Sequence, residues 1–185
     1  MSKPLRLFVG IGVGDAWTAV LRAAADHLRA PLGSAARWVR PELYHVTVVF
    51  LGDQPPSAIP VIGEALAEAA TGAAPFALRL TAVKRLGGHE HGALVAAVAD
   101  ASGDLRSYRR RLDAGLQARG VAFDSKPLVP HITLARPRGR GGLPSVPVPV
   151  LTGAPPLLAA RIDVVQSTVL PGGPVYTTLF SVPLA

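Results

Sequence analysis

Two short segments constrain this chain more than any others. His45-Val46-Thr47-Val48 and His131-Ile132-Thr133-Leu134 each set a histidine and a threonine two residues apart in an apolar, β-branched run. Side chains in a strand alternate between faces, so each segment sends its imidazole and hydroxyl one way and two aliphatic groups the other. One such segment is most often a polar pair on a wet strand face, because alternation produces it freely. Two copies with matching flanks, in a chain with only five histidines, point instead to a pseudo-symmetric site where two imidazoles and two hydroxyls converge. Two imidazoles can act as acid and base near neutral pH, and two hydroxyls can hold the oxygens of a phosphate.

The chain has 185 residues, 49% of them hydrophobic and 17% charged. This predicts one folded domain over residues 1–185 with a sizeable core, and not a disordered segment. It contains no cysteine, which excludes disulfides and Cys-based zinc or thiol chemistry. Lys3 and Arg6 before the apolar stretch Leu7 to Val13 mimic a short signal peptide, but Asp15 and Trp17 stand where a small-residue cleavage site is required. No apolar run approaches membrane-spanning length, so the expectation is a cytoplasmic monomer with no membrane partner.

The formal charge of +7 is concentrated. Arg106, Arg109, Arg110, Arg111, Arg119, Lys126, Arg136, Arg138 and Arg140 stand against Asp104, Asp113 and Asp124 between residues 101 and 140. Two readings stay open: a one-sided field that attracts polyanions such as RNA, or, for Arg106 to Arg111, the solvated face of an amphipathic helix.

Patterning predicts a buried strand over Leu5 to Val13, then a helix capped by Asp15 and stopped at Pro31. Tyr44 to Leu51 reads as a strand and Ser57 to Ala70 as a helix. Phe76 to Leu86 and Ala93 to Ala99 read as two strands around a glycine-rich turn, followed by a helix over Gly103 to Ala118. Val129 to Ala135 is a strand with the second pair, Pro137 to Pro149 an exposed, mobile loop, and Arg161 to Val169 and Val175 to Val182 a closing pair of strands. The class is mixed α+β, and the placing of the motif strands points to an internal duplication.

If the motif strands lie side by side or face each other across a cleft, His45, Thr47, His131 and Thr133 line one pocket. A neutral imidazole then takes a proton from water while a protonated one gives a proton to a departing oxygen. The hydroxyls, with an arginine, bind the non-bridging oxygens as charge grows on them. Such a site needs no metal and no cofactor. It suits a phosphodiester with an alkoxide leaving group, above all a strained cyclic phosphate. Of the other histidines, His27 reads as exposed on the first helix. His89 and His91 have the His-x-His spacing of metal ligands but are read as a solvated turn, since nothing brings them to the cleft.

These residues resemble the 2H phosphoesterase superfamily, named for two His-x-Thr-x motifs, and within it the RNA 2′,3′-cyclic phosphodiesterases, historically called 2′-5′ RNA ligases. Arg6-Leu7-Phe8-Val9, Trp38-Val39-Arg40-Pro41-Glu42, Phe50-Leu51-Gly52, Pro130 to Arg136 and Leu170 to Tyr176 are similar in order and spacing. The resemblance implies a bilobal, pseudo-symmetric pair of antiparallel sheets with helices outside and a central cleft. It implies hydrolysis of an RNA-terminal 2′,3′-cyclic phosphate to a 2′-phosphate, and in some members reversible 2′-5′ joining. It further implies His45 as general acid, His131 as base, and Thr47, Thr133 and Arg136 as phosphate ligands. Strict alternation places Arg136 opposite His131, so its role requires the strand to end or bulge there. Gln166 stands where the family pattern has glutamate, and Gly87 to Ala93 lacks its aromatic and proline residues. A small cyclic nucleotide, ADP-ribose cyclic phosphate or a 2′-5′ oligonucleotide are alternative substrates, and a non-catalytic nucleotide- or RNA-binding module is the alternative of another class.

Overall fold

The first and last strands of the chain meet in one sheet, and most of the strands between them form a second. The structure is a computed structural model that describes residues 3–88, 92–151 and 153–185. In chain order it contains β1 (Leu5–Gly12), α1 (Gly14–Leu32), β2 (Ala36–Trp38), β3 (His45–Gln54), α2 (Ala58–Ala70), β4 (Phe76–Leu86), β5 (Ala93–Ala99), α3 (Asp104–Ala118), β6 (His131–Pro137), β7 (Leu157–Ala159), β8 (Arg161–Leu170) and β9 (Gly173–Pro183). The first sheet runs β3-β1-β8-β9 and the second β2-β6-β5-β4-β7; all pairings are antiparallel. Set β3-β1-β8-β9 over β6-β5-β4-β7 and the two lobes correspond, with β2 added outside β6. The α+β class and the paired sheets agree with the sequence reading.

Amphipathic patterning explains how the helices dress these sheets. On β1, Leu7, Val9 and Ile11 join the main core while Phe8, Gly10 and Gly12 take the other face. Trp17, Leu21, Leu28 and Leu32 form the buried stripe of α1. The Trp17 indole N–H donates to the Pro155 carbonyl at 2.8 Å, tying α1 to the segment before β7. Helices α2 and α3 pack on each other and reach β9 and β3. Gly115 makes that approach close, since a Cβ there would lie 3.4 Å from the Ala65 Cβ.

Several local expectations are corrected. Pro31 does not stop α1: it lies inside the last turn, and the helix ends at its cap Gly33, whose φ of 50° takes the chain out of the helical region. Asp15 is in the first turn and not the cap, which is Val13. Strands β2 and β7 are three residues each, too short to show a period. The segment from 138 to 150 is largely exposed, as expected, but it is tied to the second lobe at several points. Leu143 is buried, Val83 N–H donates to the Pro149 carbonyl at 3.1 Å and Leu151 N–H to the Thr81 carbonyl at 3.0 Å, and the Arg85 guanidinium donates to the Pro144 carbonyl. Among the described residues, no helix is long and apolar enough to cross a membrane. His27 is exposed; His89 and His91 lie outside the described residues.

Candidate active site

His45 opens β3 and His131 opens β6, and these strands touch across the cleft between the sheets. Their first six residues share one burial pattern: half-buried, buried, half-buried, buried, buried, exposed. Two consecutive buried residues break strand alternation, and the register shows why. Val9 pairs with Val49 and Gly10 with Thr47, leaving Val48 out; Leu94 pairs with Ala135 and Val95 with Thr133, leaving Leu134 out. Each motif strand therefore carries a β-bulge at the fourth motif position. The extra residue turns Arg136 onto the face of His131 and Thr133, which meets the condition that its placement requires. It likewise turns Phe50 onto the face of His45 and Thr47.

The imidazoles are anchored alike. Nδ1 of His45 donates to the Leu43 carbonyl at 2.7 Å, and Nδ1 of His131 donates to the Val129 carbonyl at 2.6 Å. Because a carbonyl only accepts, the anchored nitrogen carries the proton and Nε2 is left for the cleft. Neutral Nε2 is then a base, and protonated Nε2 an acid.

Burial holds the pKa of both histidines below the ordinary value. For His45 the backbone bond to Leu43 opposes that shift, while His131 and Arg136 add to it as like charges. For His131 the bond to Val129 opposes, and Arg136 and Lys84 add. Arg136 also favours the phenolate of Tyr176, whose pKa burial nonetheless raises. One guanidinium thus acts on His45, His131 and Tyr176.

The surroundings of the two rings differ. Phe8 lies against His45, with ring centroids 4.6 Å apart and planes at 31°, and Tyr176 stands edge-on at 5.3 Å and 81°. The Phe8 ring lies over Gly10, where a Cβ would come within 3.1 Å of it and 3.2 Å of the Val46 carbonyl oxygen. The register makes Ala93 the counterpart of Phe8 in the second lobe. His131 instead borders a pocket of about 200 Å³, whose walls include Thr47, Phe50, Leu86, Lys126 and Val129. Phe50 is 49% exposed and Val129 44%.

The basic stretch resolves into separate roles. Arg106 pairs with Asp100 at 3.2 Å and Arg119 with Glu68 at 2.9 Å. Arg109 is buried and bonded to Asp113, so the helix face is not uniformly solvated. Lys126 and Arg136 border the cleft. Phe50, Tyr176 and Arg109 were not singled out from the sequence, although Phe50 and Tyr176 fall within family-like segments. Among the described residues, no cluster of three or more His, Cys, Asp or Glu side chains gathers.

Fold and site together define a two-lobed protein with paired His-x-Thr strands facing one cleft. The family model for the 2′-5′ RNA ligase superfamily matches residues 17–143. A Thermus thermophilus protein named RNA 2′,3′-cyclic phosphodiesterase is 33% identical over 95% of this chain and 88% of its own length. A Geobacillus stearothermophilus protein of the same name is 31% identical over 80% of this chain, a match spanning 47% of that relative. A solved structure from Thermus thermophilus aligns with TM-score 0.82 at 28% identity over 97% of both chains. Escherichia coli LigT in complex with 3′-AMP aligns with TM-score 0.74 at 22% identity over 99% of both and shares the fold. The chain belongs to the 2′-5′ RNA ligase superfamily, the 2H phosphoesterases.

Proposed function

We propose that this protein hydrolyses the 2′,3′-cyclic phosphate at an RNA end to a 2′-phosphate, using His45 and His131 as a proton-transfer pair. The observation that carries this reading is the matched anchoring of both Nδ1 atoms to carbonyls two residues back, which leaves two Nε2 atoms on strands that face each other. The relatives named RNA 2′,3′-cyclic phosphodiesterase support the substrate class.

In the proposed step, neutral Nε2 of His131 takes a proton from water as the water oxygen attacks phosphorus. The bond from phosphorus to the 3′ oxygen breaks, and protonated Nε2 of His45 delivers its proton to that oxygen. Thr47, Thr133 and Arg136 bind the non-bridging oxygens and stabilise the charge that grows on them. The open pocket beside His131 favours it as the partner of water, and the aromatic walls around His45 favour it as the shielded acid. The free cleft disfavours a second positive charge, and an arriving phosphodiester anion reverses that balance and lets His45 hold its proton. Phe50 gives a nucleobase a surface to stack on, and Lys126 lies on the same wall.

The test is an oligoribonucleotide ending in a 2′,3′-cyclic phosphate, assayed in EDTA with products resolved as 2′- or 3′-monoesters. The expected product is the 2′-monoester. Binding without product over long incubation would instead mark a non-catalytic nucleotide- or RNA-binding module.

A further inference from the structure

The two motif bulges are alike, but the groups that hold them are not. The Leu134 carbonyl, at the bulge of β6, accepts from the Val39 backbone N–H at 2.8 Å, just beyond the end of the neighbouring strand β2. Strand β3 is the edge of its sheet and has no strand in that place. There the Val48 carbonyl accepts from Nη1 of Arg109 at 2.7 Å. A side chain from α3 thus does for the first bulge what a strand does for the second.

Arg109 is 6% exposed and holds more than the bulge. Its Nη2 donates to the Asp124 carbonyl at 2.8 Å, and its Nε donates to Asp113 at 2.5 Å, one turn along the helix. Asp113 keeps the guanidinium oriented and its charge compensated. The 121–130 segment runs from α3 to His131, and its Asp124 N–H donates to the Phe50 carbonyl at 2.8 Å. One planar fork therefore ties the backbone next to Thr47 to the segment that delivers His131.

We propose that Arg109 is a positioning residue that sets Thr47 and His131 at their working separation by clamping the Val48 bulge to the 121–130 segment. This rests on the phosphate-binding role assigned to Thr47. Arg109 also lines the pocket beside His131, but its three guanidinium nitrogens are engaged by Asp113 and backbone carbonyls, so it acts through Thr47 and His131 and is not itself a catalytic residue.

A double-mutant cycle tests the proposal, with Arg109→Met, Thr47→Val and the pair together, and with Arg109→Lys in a parallel cycle. Each variant is checked for folding by thermal unfolding. The readouts are kcat and KM on 2′,3′-cyclic AMP, and the Kd for inorganic phosphate. The expected result is a ten- to hundredfold loss of kcat/KM in Arg109→Met, with the double variant losing less than the product of the two single losses, because the part of the clamp's effect that runs through Thr47 is already gone. Losses that multiply, in a folded protein, overturn the proposal. Arg109→Lys keeps a charge beside Asp113 but not the fork, and is expected to lose activity partway; if Arg109→Met does not fold, this parallel cycle decides by the same criterion. Full activity in folded Arg109→Lys and Arg109→Met also overturns it. Should the wild type fail to turn over the cyclic nucleotide, the functional reading falls, and the cycle in phosphate Kd still tests the clamp.

Discussion

Phe50 and Arg136 occupy equivalent places in the two lobes, each turned into the cleft by a bulge just after a motif threonine. One is an aromatic ring and the other a cation. In the proposed reading this difference, with the Phe8 and Tyr176 rings beside His45, lets the cleft tell one end of a substrate from the other. Arg136 faces the reacting phosphate oxygens in the proposed geometry, while Phe50 faces the base.

Substituting either imidazole should remove most turnover. His45→Ala and His131→Ala are each expected to lower kcat on a cyclic nucleotide by on the order of a thousandfold or more, and the double variant to be scarcely worse, because the two act as a unit. Steady-state kinetics on the three variants checks this.

The hydroxyls should matter less than the rings. Thr47→Val and Thr133→Val each remove one donor to the non-bridging oxygens, and losses of roughly a hundredfold in kcat are expected, as for other donors to developing negative charge. Retained activity in both would remove the threonines from the site.

Arg136→Met should raise the pKa of both histidines. The guanidinium pushes each imidazole toward its neutral form, so its removal leaves protonation easier. Imidazole resonances followed by NMR across pH measure the shift, and turnover should fall in the same variant.

The lowered histidine pKa values fix the sign of two pH effects. In the free protein both lie below the ordinary value, so kcat/KM should peak on the acid side of about pH 6.5. Binding of an anion raises the pKa of the acid, and the optimum of kcat should lie at higher pH. For stability, the unfolded chain takes up protons first, so the contribution of these histidines is present above about pH 6.5 and lost as pH falls through the folded values. A His45→Gln, His131→Gln variant should lose less stability on acidification than the wild type, measured by denaturant unfolding at a series of pH values.

Phe50→Ala should raise KM for an oligoribonucleotide about tenfold with a small effect on kcat, in keeping with stacking worth roughly 1–3 kcal/mol per base. If Lys126, on the wall of the pocket beside His131, meets a backbone phosphate of the substrate, the advantage of an oligonucleotide over a mononucleotide should also shrink as salt rises.

Much of the site was legible because it is local. The two His-x-Thr segments display their chemistry through alternation alone, and strong strand periods located β3 and β6. What was hidden depends on departures from period. Nothing in Thr47-Val48-Val49-Phe50 announces that Val48 is the extra residue, because a bulge is set by the partner strand and its support. Arg109 falls at helical spacing between Leu105 and Leu112, on the buried stripe of α3, but its place in a run with Arg106, Arg110 and Arg111 masks it, and what it bonds to is set by the packing of α3 over the edge of β3. The 138–150 segment, rich in glycine and proline, lacks a period yet docks through backbone bonds to β4.

The central claim is that both imidazoles address one anion. Titrating inorganic phosphate into the protein while following the Nε2 environments of His45 and His131 by NMR tests it most directly. One shared binding curve for both rings, with both pKa values rising on saturation, is the predicted result. A response from one ring alone, or two curves with different Kd values, would contradict it.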